Sequence, residues 1–141
     1  MKLKIEYLAP YLPYGLKLKE QGFIYVLSGV TIGHMLCYEN GDLDKEIFDI
    51  DLLEESVKPI LRPLSDLTKE IEADGEKFVP TENLNTEYPL LIDGGVFFTD
   101  SCNLNMLEIT EIYEIFQKLL EWHFDVFGLI KAGLAIDINT L

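Results

Sequence analysis

The sequence predicts a single α+β domain, residues 1–141, in which an N-terminal antiparallel β-meander packs with a short middle helix and a long C-terminal amphipathic helix. Three observations predict it. Short apolar runs in the first 50 residues are separated by turn-forming pairs such as Gln21-Gly22 and by Asn40-Gly41-Asp42, which is the signature of consecutive strands. From Ile109 onward the apolar residues instead recur at helical spacing. The chain has 141 residues, 48% of them apolar and 26% charged, which suits one hydrophobic core.

In chain order, the segment Glu6 to Gly15 carries Pro10 and Pro13 among tyrosines, so it is expected to form a turn or a single helical turn packed by its aromatic rings. Four strands follow: Leu16 to Lys19, Phe23 to Leu27, Thr31 to Tyr38 and Lys45 to Ile50, with Ser28-Gly29 as a further turn. Leu16-Lys17-Leu18-Lys19 alternates, whereas Phe23 to Val26 is apolar throughout, which predicts a more central second strand covered on both faces. Asp51 to Pro63 is acidic and then broken by Lys58-Pro59 and Arg62-Pro63, which predicts an extended surface connection. Ser65 is a candidate cap for a two-turn helix over Asp66 to Glu72, with Gly75 as its stop and Gly75 to Pro80 extended beyond it. Asp93-Gly94 between Tyr88 to Ile92 and Gly95 to Thr99 predicts a hairpin. The last helix has Asn105 and Glu108 as a capping pair and a stripe of Ile109, Ile112, Phe116, Leu119, Leu120, Phe124 and Phe127; Gly128 is placed to bend it and Gly133 to end it, before a strand over Leu134 to Ile138. If Ile112, Phe116, Leu119 and Leu120 form the buried face, Phe116→Ala should cost about 3–5 kcal/mol.

Charge is the strongest functional signal. The net charge is −14. Residues 39–87 hold fifteen acidic and five basic side chains, while residues 1–38 hold two and four. Such a field repels nucleic acid and anionic lipid, and attracts basic protein surfaces. No apolar stretch approaches the ~20 residues needed to cross a bilayer, and Glu6, Pro10 and Pro13 interrupt any signal-peptide pattern, so a cytoplasmic protein is expected. Cys37 and Cys102 form neither a CxxC nor a Cys/His cluster and are expected to be reduced.

No catalytic constellation stands out. Glu121-Trp122-His123-Phe124-Asp125 contains metal-binding residue types, but at about 100° per residue a regular helix cannot converge all three, so His123 is expected to be a hydrogen-bonded core side chain. Asp42, Asp44 and Glu46, like Glu108, Glu111 and Glu114, lack the order of a calcium loop, and Asp93-Gly94-Gly95 lacks the context of a phosphate loop. Neither Ser28 nor Ser101 has a nucleophile-elbow setting, and His34 is expected to pack in its strand. No cofactor and no metal site is expected. Tyr7, Tyr11 and Tyr14, with Leu8 and Leu12, are either a plug over the sheet or an exposed contact patch.

The stretches Tyr7-Leu8-Ala9-Pro10-Tyr11-Leu12-Pro13-Tyr14-Gly15-Leu16-Lys17, Lys58 to Thr68, Gly75 to Pro80, and Trp122 to Ile130 with Gly133 to Asp137 resemble small uncharacterised proteins encoded by bacterial phages and prophages. The resemblance covers about a third of the chain and carries no catalytic residues with it. It implies the cytoplasm of an infected bacterium. The expected function is therefore that of a phage accessory protein that binds a host or phage protein with a basic surface, such as an acidic inhibitor of a nucleic-acid-handling or CRISPR-type defence machine. The contact residues would be Asp42, Asp44, Glu46, Asp49, Asp51, Glu54 and Glu55, together with Tyr7, Tyr11 and Tyr14. Two alternatives belong to other classes. One is a metal-dependent hydrolase or nuclease drawing on Asp93, Asp100, Glu121, His123 and Asp125. The other is a structural subunit of a phage assembly, held by the tyrosine patch.

Overall fold

Two prolines set the path of the N-terminus. In the computed structural model, which describes residues 2–39, 48–51, 56–84, 90–93, 96–99 and 109–141, a single helical turn α1 (Ile5–Leu8) tightens into a 3₁₀ helix over Ala9–Tyr14. Pro10 occupies the first turn of that 3₁₀ helix, where a missing N–H costs nothing, and Gly15 at φ 63° ends it. Leu8 and Tyr11 are thereby driven into the core.

The expected meander is present. Strands β1 (Lys17–Glu20), β2 (Phe23–Thr31), β3 (His34–Glu39) and β4 (Phe48–Asp51) pair antiparallel in succession. Gln21 and Gly22, at φ 46° and 91°, supply the left-handed pair that a two-residue turn with matching twist requires. Two details differ from the sequence reading. Ser28-Gly29 is not a turn but a bulge inside β2: the register jumps between Leu27 and Gly29, Ser28 Oγ donates to Leu36 O at 3.0 Å, and the chain reverses at Ile32-Gly33 instead. In addition, β2 is fully buried on one face only: Tyr25 and Leu27 are inside, whereas Ile24 and Val26 on the other face are half-buried and Phe23, at the start of the strand, is exposed. The second face is thus partly covered, short of the full cover that the apolar run suggests.

The segment expected to be a surface connection enters the sheet. Strand β5 (Lys58–Leu61) pairs antiparallel with β1 and parallel with the last strand, and Pro59, Ile60 and Leu61 are buried. The proline, which reads as punctuation in the sequence, occupies a single position opposite Leu18 in a four-residue strand. The helix expected over Asp66 to Glu72 is also replaced. A 3₁₀ helix, Leu64–Thr68, begins at Pro63 with no side-chain cap from Ser65, and the chain then forms a hairpin of β6 (Ile71–Ala73) and β7 (Glu76–Phe78). Asp74 and Gly75, at φ 52° and 78°, are its turn, so Gly75 reverses strands and does not stop a helix. A short helical turn, α2 (Pro80–Asn83), follows.

Strands β8 (Leu90–Asp93) and β9 (Val96–Thr99) form the expected second hairpin, with Asp93 paired to Val96, so the two connecting residues are 94–95 and not 93–94. Helix α3 (Ile109–Glu121) is shorter than the sequence implied; its expected capping pair Asn105 and Glu108 lies outside the described residues. It ends where His123 adopts φ 59°. His123 N then donates to Leu120 O at 3.0 Å and Phe124 N to Leu119 O at 2.8 Å, the paired reverse bonds of a Schellman motif with histidine where glycine is usual. Gly128 and Gly133, both at positive φ, serve turns in the irregular segment beyond, which leads to β10 (Ile136–Asp137) and a terminal 3₁₀ turn over Ile138–Thr140.

The sheet order is β10-β5-β1-β2-β3-β4, so β2 is interior as expected and β4 stands at one edge. One hydrophobic cluster gathers Leu8, Tyr11, Leu16, Leu18, Leu27, Met35 and Leu61 on the sheet; the other gathers Leu67, Ile71, Ile115, Leu119, Trp122 and Phe124 beneath α3. Leu119 and Leu120 are buried as predicted, but Ile112 is 51% exposed and Phe116 37% exposed. The helix instead buries Ile115, one turn ahead of Leu119, which shifts the inward arc away from Ile112 and Phe116. Buried Asp66 ties the two ends of this region together, accepting from Lys69 Nζ at 3.1 Å and Asn139 Nδ2 at 2.8 Å. Among the described residues no helix is long and apolar enough to cross a membrane.

Candidate functional site

Of the acidic residues singled out in the sequence, Asp42, Asp44, Glu46, Glu54 and Glu55 lie outside the described residues. Asp49 and Asp51 fall on β4, the edge strand, in register with Leu36 and His34 of β3. Elsewhere in the acidic segment Asp66 is buried, while Glu70, just before β6, and Glu72, Asp74 and Glu76 on the β6–β7 hairpin are all exposed.

The tyrosine group is a plug. Tyr11 is 0% exposed and its hydroxyl donates to Phe124 O at 2.6 Å, so it is withdrawn from any contact surface. Burial raises its pKa far above the ordinary tyrosine value, opposed in part by the Val126 N–H and reinforced by the charge of Asp125. Tyr7 is half-buried with its ring 5.4 Å from that of Phe127, and half-buried Tyr14 offers its carbonyl to His123. The physical reason is the path of the chain: α1 and the 3₁₀ helix bring three tyrosines over the same cluster, and of these Tyr11 is directed fully into it.

The carboxylates and histidine proposed for metal chemistry are not brought together. Both oxygens of buried Asp125 are engaged, Oδ1 by Leu129 N at 2.8 Å and Oδ2 by Ile130 N at 2.9 Å. Glu121 Oε2 pairs with Lys118 Nζ at 2.9 Å. The side chain of Asp93 and the whole of Asp100 are outside the described set, and among the described residues no group of three His, Cys, Asp or Glu side chains is arranged to hold a metal ion. Cys37 is a buried thiol in no disulfide among the described residues.

The structure does assemble a cleft that the sequence concealed. Three chain segments meet there: the end of the N-terminal 3₁₀ helix, the exit of β5, and the reversal after α3. Arg62 N donates to His123 O and Asp125 N to Arg62 O, both at 2.8 Å, so Arg62 and the reversal are locked as a parallel bridge. The cleft is about 510 Å³, within the range of small-molecule sites. Its walls include Lys17, Arg62, Asp74, Glu121, Trp122 and His123. The Arg62 guanidinium rests 5.9 Å from the centre of the Phe124 ring, and its Nη2 donates to Glu72 O at 3.3 Å. Its Nε is buried with no hydrogen-bond partner. Arg-Pro at 62–63 looks like a loop marker in the sequence; the signal that could have marked it as a site is that Arg62 directly follows a four-residue apolar strand.

His123 Nε2 lies 2.6 Å from Tyr14 O, and because a carbonyl only accepts, Nε2 carries the proton and Nδ1 is the lone-pair nitrogen. Burial lowers its pKa from 6.5, partly offset by the bond to Tyr14 and reinforced by the charges of Arg62 and Lys17, with Asp74 acting in the opposite sense. The sequence reading of His123 as a hydrogen-bonded packed side chain is correct, although it sits in a helix-ending turn and not on a helix face. A histidine whose folded pKa is depressed takes up protons more readily in the unfolded chain, so its contribution destabilises as pH falls from above 6.5 through the folded value. His123→Asn, which tolerates the left-handed backbone, should therefore flatten the fall in stability as pH drops below 6.5, as measured by urea midpoints. Parallel pH profiles for the two proteins would show that His123 is not held neutral.

Comparison of the chain with protein-family models, with curated proteins and with solved structures gave no match.

Proposed function

We propose that the protein is a phage-encoded accessory protein of the bacterial cytoplasm that acts without catalysis, by binding a host or phage protein through its acidic surface. The supporting observation is the state of the acidic side chains in the middle segment. Glu70, Glu72, Asp74 and Glu76 are exposed on and just before the β6–β7 hairpin and form no ion pair among the described residues. Carboxylates left uncompensated on a rigid hairpin contribute little to the fold and are free to steer a basic partner. The edge strand β4 carries Asp49 and Asp51 within a second acidic stretch, and charged edges also discourage unwanted strand pairing. A machine that handles nucleic acid, including a CRISPR-type effector, presents the kind of basic channel such a surface fits.

The test is affinity purification from host lysate at low and high salt, followed by association kinetics with the recovered protein. Two charge-reversed variants serve as controls: Asp42, Asp44 and Glu46 replaced together by Lys, and Glu70 and Glu76 replaced together by Lys. The wild type should associate faster at low salt and show the steeper salt dependence, with most of the loss in the variants appearing in the association rate. Equal rates and equal salt slopes in all three folded proteins would remove both acidic stretches from the binding surface. Divalent-cation-dependent hydrolysis of a nucleotide or nucleic acid would overturn the non-catalytic reading.

A further inference from the structure

We propose that the cleft between the N-terminal 3₁₀ helix, Arg62 and the α3 reversal binds a small zwitterion, with its carboxylate on the Arg62 guanidinium and its ammonium group facing Glu72 and Asp74. The proposal does not rest on the protein-binding reading: the two share Glu72 and Asp74, but the charge reversals that test that reading are placed outside the cleft lining.

The orphaned donor points to an anionic group. Arg62 presents five N–H donors in a rigid fork, yet its one hydrogen bond is the long contact of Nη2 with Glu72 O, and it makes no ion pair among the described residues. Nε is enclosed, so a ligand in the cleft meets the terminal nitrogens, of which Nη1 has no hydrogen bond among the described residues. A carboxylate is the planar partner that takes two parallel bonds from a guanidinium. The backbone of Arg62 is fixed on both sides by its bonds to the reversal, and its side chain lies against Phe124, so the fork is already oriented before anything binds.

Charge selects between a simple anion and a zwitterion. Lys17 and Arg62 are the cations of the cleft, while Glu72, Asp74 and Glu121 are its acids, and Glu121 is balanced by Lys118 outside the lining. Two cations therefore face two uncompensated carboxylates. A dianion such as phosphate would meet the field of Asp74 and Glu72 as well as that of Arg62, whereas a molecule with one charge of each sign meets a matching pair. The neutral imidazole of His123 adds a lone pair at Nδ1, which suits an N–H donor on the ligand. The left-handed backbone at His123 places this ring in the cleft, and strain of that kind persists where the surrounding structure fixes it.

Two-dimensional ¹⁵N–¹H NMR of the whole chain tests the proposal, with the Arg62 Nε–H and the indole N–H of Trp122, the single tryptophan, as reporters. The probes are glycylglycine, acetate and inorganic phosphate at matched ionic strength. Glycylglycine should shift both signals saturably and bind more tightly than acetate or phosphate. Arg62→Lys keeps the charge but loses the fork, so the Trp122 signal should report binding weaker by about tenfold or more. Lys17→Ala, at an exposed position with no role in the core, should weaken binding severalfold and serves if Arg62→Lys fails to fold. Asp74→Asn should narrow the preference for glycylglycine over acetate. Absence of a saturable shift with glycylglycine, equal or tighter binding of phosphate, or unchanged affinity in folded Arg62→Lys and Lys17→Ala would each overturn the proposal.

Discussion

Phe124→Ala should lower the free energy of unfolding by about 3–5 kcal/mol, whereas Phe116→Ala, at a position the sequence pattern marks equally as core, should cost roughly 1 kcal/mol. Phe124 is 0% exposed and belongs to the cluster beneath α3, and its carbonyl accepts the Tyr11 hydroxyl that anchors the N-terminal plug in the other cluster. Truncation empties a space that is walled by the Schellman reversal and by the Arg62 bridge, neither of which can collapse without breaking hydrogen bonds. Phe116 meets Phe127 edgewise, ring centres 6.3 Å apart, and is 37% in solvent. Urea denaturation of both variants at one pH measures the pair. Comparable losses at the two positions would place α3 in a different rotation about its axis.

The sequence disclosed the meander because its signals are local. Gln21-Gly22 can hardly be other than a tight turn, and Leu16-Lys17-Leu18-Lys19 states its own period. What it concealed depends on partners distant in the chain. Lys58-Pro59-Ile60-Leu61 reads as a broken connection until β1 and β10 are set on either side of it, 41 and 76 positions away at Leu18↔Pro59 and Ile60↔Ile136. The end of α3 was missed for a related reason. Phe124 and Phe127 continue the helical spacing, so periodicity extends the helix through them, but His123 takes a left-handed conformation that periodicity does not register and that no glycine announces. The cleft inherits both omissions: Arg62 follows the unrecognised strand and His123 makes the unrecognised reversal. By contrast, the acidic bias of residues 39–87 is plain in composition, and the exposure of Glu70, Glu72, Asp74 and Glu76 agrees with a solvated surface even though Glu70 and Glu72 fall where a helix was expected.

Asp125→Ala should cost about 3 kcal/mol or more, although it removes no apolar surface and no ion pair. Asp125 is 6% exposed, and each of its oxygens accepts one backbone N–H, from Leu129 and from Ile130. Those two amides open the irregular segment that carries Leu129, itself fully buried, back to β10. Bonds from amides to a charged acceptor are worth more than neutral ones, and alanine leaves the Leu129 N–H inside with no acceptor, which costs the full desolvation of that group. Asp125→Asn is the sharper control. It keeps one oxygen acceptor but turns an NH₂ toward the other amide, so it should lose roughly half as much as alanine, whereas a purely steric role would leave it near wild type. Amide hydrogen exchange locates the effect: Leu129 and Ile130 should exchange faster in Asp125→Ala than in the wild type even where global stability is matched by added osmolyte. Unchanged protection at these two amides would mean that the segment is held by Leu129 packing alone, and that the carboxylate bonds are incidental to it.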